Sequence, residues 1–161
     1  MIVRTQILAD RLDAADAAVV PELQRVVGPT GGDVVQVLRS APYAEAGAGA
    51  DVTDLAVFAS YEGIEDHATL VDGAWPTPGA NPVEGTLSEG AAAALGVEAG
   101  DEVERVARLD ESRTRDVAIT GVWRPDPADP WWVGDRLALT GSEVGGSFTT
   151  RGPIVLSLIH I

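Results

Sequence analysis

VEGTLSEGAAAALGVEAGDEVERV, residues 83–106, decides the fold, because it reads as strand, capped helix and strand within 24 residues. VEGTL is a short strand. Ser88 is placed to act as N-cap, with its hydroxyl facing the first free amides of a helix. A body of alanines ends in Leu95, and Gly96 supplies the left-handed residue that closes the helix before a tight turn. Beyond it, EVERVARL and RDVAITGVW read as two strands joined by the polar turn DESRTR. Period-2 spacing puts Val117, Ile119 and Trp123 on one face of the second strand, and a hairpin follows.

Toward the N-terminus, IVRTQIL alternates Val3, Thr5 and Ile7 against Arg4 and Gln6, the period of a strand with one buried face. RLDAADAAVVPELQRVVG is a helix with Asp13 as its cap and Val19, Leu23 and Val26 at helical spacing; Pro21 kinks or restarts it and Gly28 ends it. GPTGGD then leads to the strand DVVQVLRS, with Val35 and Val37 opposed to Gln36 and with Arg39 outside. YAEAGAGADVTD reads as a loop. LAVFASYEGI supplies a third strand with Leu55, Val57, Ala59 and Tyr61 on one side. In HATLVDGAWPTPGANPVEG, three prolines and three glycines mark a linker, which sets a lobe boundary near residue 72. From Asp135, DRLALTGSEVGGSFTTRG is loop-like with one short apolar piece, and GPIVLS is a strand returning to the first lobe. No internal repeat is evident.

The chain has 161 residues, 45% of them hydrophobic but only 5% aromatic, so Ala, Val and Leu fill the interior and each of four tryptophans carries a large share of the packing. A formal charge of -14 and a pI near 4.3 argue against a nucleic-acid backbone as ligand. All basic residues are Arg. The absence of cysteine excludes disulfides, thiolate zinc sites and a cysteine nucleophile. MIVRTQILAD lacks the regions of a signal peptide, and no apolar run reaches the length of a membrane span.

GPTGGD is no phosphate loop, because the lysine and following hydroxyl of that motif are missing. Glu65, Asp66 and His67 adjoin, but zinc needs three or four converging ligands and the other histidine is His160, so His67 is expected at the surface. RPDPADPWWVGD, residues 124–135, gathers Asp126, Asp129 and Asp135 beside two tryptophans. Calcium takes such carboxylates, yet their spacing matches no EF-hand. The aspartates read instead as turn formers beside stiffening prolines. In an extended segment Trp131 and Trp132 point to opposite faces, one buried and the other exposed.

LVDGAWP, then VEGTLSEGAAAALGVEAGDEVERV, then VAITGVWRPDPADPWWVGD, resemble in order and spacing the extracytoplasmic domains of FtsX/MacB-like ABC transporter permeases, particularly actinobacterial ones. The resemblance covers residues 70–136; residues 1–66 follow the family only as a pattern, and the final SLIHI departs from it. It implies an α+β fold: a porter-like βαββ lobe over 1–72 plus 150–161, and an inserted, mostly β sabre-like lobe over 73–149 carrying one short helix. It also implies a non-catalytic, cofactor-free domain outside the membrane, coupled to its own transmembrane helices and to a cytoplasmic ATPase within a dimeric parent, and engaging a protein or lipid-like substrate. Trp131 or Trp132 is the expected partner contact. AAALGVEAGDEVERV also resembles the helix and strand of small double-psi-like β-barrel modules, which hold cofactors or process proteins. That is the alternative reading.

Overall fold

Ser88 and Gly96 bound a helix as their chemistry requires. In the computed structural model, which describes residues 3, 6, 7, 11–32, 34–49 and 52–157, the Ser88 hydroxyl accepts from the Ala91 amide at 3.2 Å. Gly96 closes the helix at φ 69°. The fold is α+β, with more strand than helix. Chain contacts separate two units, Met1–Gln36 and Val37–Ile161.

The first unit holds helix α1 (Leu12–Val27). Arg11 stands at its N-cap without a side-chain cap bond, and Asp13, expected there, lies in the first turn. Pro21 sits inside one continuous helix. Gly28 does not stop the chain; a 3-10 turn Gly28–Thr30 follows, and Gly31 at φ 75° takes the left-handed position. Val19 and Val26 are exposed, and the less exposed stripe runs through Leu12, Asp16, Val20, Leu23 and Val27. Of the strand expected at 2–8, Val3, Gln6 and Ile7 are described and are not in a strand; the other residues lie outside those described.

The second unit comprises β1 (Val37–Arg39), β2 (Tyr43–Glu45), β3 (Asp54–Tyr61), β4 (Ala68–Gly73), β5 (Val83–Ser88), α2 (Glu89–Leu95), β6 (Glu102–Ala107), β7 (Asp110–Pro125), α3 (Arg136–Thr140), β8 (Ser142–Gly145) and β9 (Phe148–Leu156). Six of these strands close a barrel in the order β3-β2-β6-β7-β5-β9 and back to β3, with β1, β4 and β8 added at its margins. Pairings β2 with β3 and β6 with β7 are antiparallel, while β5 with β7 and β3 with β9 are parallel. Exchanging β2, β3 and β5 for β6, β7 and β9 maps this pattern onto itself, since β2 with β6 and β5 with β9 are also both antiparallel. The chain therefore repeats in topology although it does not repeat in sequence.

Closure explains several departures from the strand readings. β3 is buried from Leu55 to Tyr61 on both faces, not on one. Phe58 faces the barrel interior with Tyr43, Leu87, Val103, Val117, Ile119, Ile154 and Leu156, and α2 covers this core through Ala91 and Ala92. Ala59 and Tyr61 belong to a second cluster outside it, with Ile64, Trp123, Trp132, Ala138 and Val155. Trp123 is thus separated from Val117 and Ile119 although the three alternate along one strand. The segment 43–45, expected as loop, is a strand paired with β3 and β6, and Tyr43 meets Phe58 edge-on at 4.9 Å. Val35 and Val37 are exposed, while Leu38 is half-buried.

The stretch expected as linker contains β4, which pairs antiparallel with Gly121–Pro125 of β7. DESRTR is not a turn: β7 begins at Asp110, and the hairpin turns at Arg108 and Leu109. Residues 136–145, expected as loop, contain α3 and β8. α3 ends at Gly141, φ 75°, where an added Cβ would lie 2.0 Å from the Gly90 carbonyl carbon. Only glycine lets α2 and α3 approach so closely.

Candidate functional site

The second cluster is built on turns. Asp126 accepts from the Ala128 amide at 2.9 Å. Asp129 accepts from the Trp131 amide at 2.8 Å and so caps the 3-10 turn Pro130–Trp132. The expectation that these aspartates shape turns holds for both. Asp135 does the same for α3, taking the Ala138 amide on Oδ1 at 3.0 Å. The segment is therefore helical in its local turns, not extended, and its two tryptophans diverge by a different geometry from the one expected.

Trp132 turns inward and is 1% exposed. Its indole stacks on Trp123 at 5.4 Å and 11°, and its Nε1–H donates to the His67 carbonyl at 2.9 Å. Trp131 stays half-buried, edge-on to Trp132 at 4.5 Å and stacked on the His67 ring at 4.4 Å and 6°. Trp75 packs against the same cluster, so all four tryptophans of an aromatic-poor chain gather at one place. Among the described residues the buried Trp123 Nε1–H has no hydrogen-bond partner, while its ring stacks on Trp132.

His67, expected at the surface, reaches it only in part; its side chain is 30% exposed. Its Nδ1 lies 2.7 Å from Asp129 Oδ2. The Trp131 amide, and then His67, hold the Asp129 carboxyl below the usual carboxylate range. An ionised carboxylate only accepts, so Nδ1 carries the proton in this contact. One histidine thereby joins two turns of distant sequence, Ile64–Asp66 and Pro130–Trp132, by a hydrogen bond to Asp129, a stacked ring and a backbone carbonyl.

A second junction lies on the other side of Tyr61. Its hydroxyl donates to Asp135 Oδ2 at 2.7 Å and accepts from Arg39 at 3.2 Å, while Arg39 forms an ion pair with Asp135. Burial pushes the Tyr61 hydroxyl well above its ordinary value. For Arg39 burial acts downward, but Tyr61 and Asp135 outweigh it and hold the guanidinium charged. Arg39, expected outside, is thus part of the anchor that ties β1 to α3. Tyr61 meets Trp131 and Trp132, each at 5.8 Å, and links the two junctions.

Asp126, Asp129 and Asp135 do not converge. Each is spent on a different turn, and among the described residues no group of three or more His, Asp or Glu side chains is arranged to hold a metal ion. His160 lies outside the described residues. No described helix is long and apolar enough to cross a membrane. The two expected contact residues are thus distinguished: Trp132 is in the core, and Trp131 alone reaches the surface, beside Val133, which is 70% exposed. His67, Tyr61 and Arg39 are members of the site that the sequence did not indicate, because their partners are 22 to 74 residues away. Compared with protein-family models, with curated proteins and with solved structures, the chain matches none.

Proposed function

We propose that this chain is the non-catalytic extracytoplasmic domain of an FtsX/MacB-type ABC transporter permease, which transmits ATP-driven movement and engages a partner outside the membrane. One observation carries the reading: the scattered segments of the resemblance fold into one contiguous assembly. Leu70–Gly73 pairs with Gly121–Trp123, Ser88 at the start of α2 is in register with Trp123, and Glu89 forms an ion pair with Arg124 at 2.6 Å. The DPADPWW turn then folds back onto His67. A set of motifs that makes one physical unit argues for one inherited module more strongly than each short piece does.

In this reading residues 1–72 and 150–161 form the porter-like part and 73–149 the sabre-like part. β2, β3 and β9 of the former share the barrel with β5, β6 and β7 of the latter. Strain applied to one part then travels through a hydrogen-bonded barrel wall. The closed six-stranded barrel with its two-fold pairing pattern favours a second reading, a double-psi-like module that binds a cofactor or a protein.

The two readings separate on the parent protein expressed from its full reading frame. The permease reading expects apolar stretches of about 20 residues flanking this domain, recovery in the membrane fraction, and co-purification of an ATPase subunit. Polar flanks together with recovery in the soluble fraction would overturn it in favour of the barrel module.

A further inference from the structure

We infer that the surface around Trp131 and Val133 is a docking site for a basic protein segment that presents an apolar side chain among Lys or Arg residues; this rests on the partner-engaging role proposed above and names the chemistry of the partner. The apolar centre is defined by exposure. Val133 is 70% exposed, and the half-buried Trp131 is braced by His67 on its face and by Trp132 on its edge. A large ring already immobilised loses little entropy when a partner covers it, which is the physical basis of an aromatic anchor.

The surroundings select the sign of the partner. Glu65 and Asp66 immediately precede His67, and Asp126 opens the loop that carries Trp131; all three are exposed, and no described ion pair includes them. Of the neighbouring carboxylates, Asp129 is tied to His67 and Asp135 to Arg39. Two exposed arginines flank this group in sequence, Arg124, which is paired with Glu89, and Arg136, so the three carboxylates remain in excess. An apolar centre with uncompensated carboxylates on both joined turns complements a basic segment and repels an acidic one.

The test uses the isolated chain and a labelled peptide alternating Lys and Leu, with a Glu/Leu peptide as its opposite, read by fluorescence anisotropy at low and moderate salt. The Lys/Leu peptide is expected to bind and to weaken with salt. Trp131→Ala is expected to reduce its affinity at least about tenfold and Val133→Ser several-fold. Val133→Ser guards against a folding artefact, because its side chain is largely in solvent, it adds no charge, and circular dichroism verifies each variant. Reversal of both Glu65 and Asp66 should cost several-fold more than reversal of both Glu111 and Glu143, exposed on β7 and β8, which makes the same change in net charge away from the site. Absence of binding, native affinity in Val133→Ser, or equal effects of the two double reversals would each overturn the docking site. None of these outcomes bears on whether the parent fractionates with membranes, so the two proposals fail separately.

Discussion

Replacing Trp132 by alanine tests the arrangement most directly, because the two adjacent tryptophans differ in burial and should differ in energy. Trp132 is 1% exposed, stacked on Trp123 and bonded to the His67 carbonyl. Truncating a buried Trp costs about 3–5 kcal/mol in transfer and cavity terms, and the stranded carbonyl keeps the value in the upper half of that range. Trp131 keeps part of its ring in solvent, and its removal forfeits aromatic contacts worth about 0.5–1.5 kcal/mol each. We expect Trp132→Ala to cost about 4 kcal/mol and Trp131→Ala about 1–2. With a urea slope of about 2 kcal/mol per molar, the midpoint falls by about 2 M in the first variant and by less than about 1 M in the second. Stabilities of domains are about 5–15 kcal/mol, so the first variant still folds but sits near its threshold. Urea titration followed by circular dichroism measures both. Equal losses, or a larger loss at Trp131, would refute the assignment of Trp132 to the core and of Trp131 to the surface.

Three further outcomes follow from the same contacts. Gly141→Ala should destabilise by more than about 3 kcal/mol, since it combines a left-handed φ with collision on the Gly90 backbone; Gly79→Ala, with the same sign of φ but open space, should cost only about 1 kcal/mol, and a comparison of thermal midpoints decides. Asp129 has a folded-state pKa below its unfolded value, so its stabilising contribution is present above the ordinary carboxylate range and is lost as pH falls through the depressed folded value. Asp129→Asn should therefore flatten the acid limb of the urea midpoint plotted against pH, and parallel curves for the two proteins would contradict the Trp131 amide and His67 contacts that lower this carboxyl. Tyr61 is raised, chiefly by burial, so its contribution is complete below the unfolded phenol value of about 10 and declines as pH rises toward the folded one; ultraviolet titration should find Tyr61 ionising only with alkaline unfolding, and Tyr61→Phe should lower the absorbance change that accompanies that unfolding.

The parts legible in the sequence were those whose causes are local. Ser88 and Gly96 bound α2 through atoms within four residues, and the aspartates before proline form turns within two or three. The strand readings likewise found β3, β5, β6 and the central part of β7. They missed that β3 is buried on both faces, and they failed where strand identity depends on a distant partner. Tyr43–Glu45 is a strand only because β3 and β6 flank it. Ala68–Gly73 resembles a linker until β7 lies beside it. His67 beside Glu65 and Asp66 looked like a solvated group, since nothing nearby in sequence announces Asp129 or Trp131.

By itself, then, the sequence determined the α+β class, the capped helix, the turn chemistry of the RPDPADPWWVGD loop and the strongly acidic character of the molecule. Only the tertiary structure decided that six strands close on one another, that α3 needs Gly141 against Gly90, and that Trp132 is buried while Trp131 faces outward. The physical reason is range. Caps and turns are satisfied within a few bonds of chain, whereas barrel closure and the His67 junction pair groups tens of residues apart, and their energies exist only once both sides have been brought together.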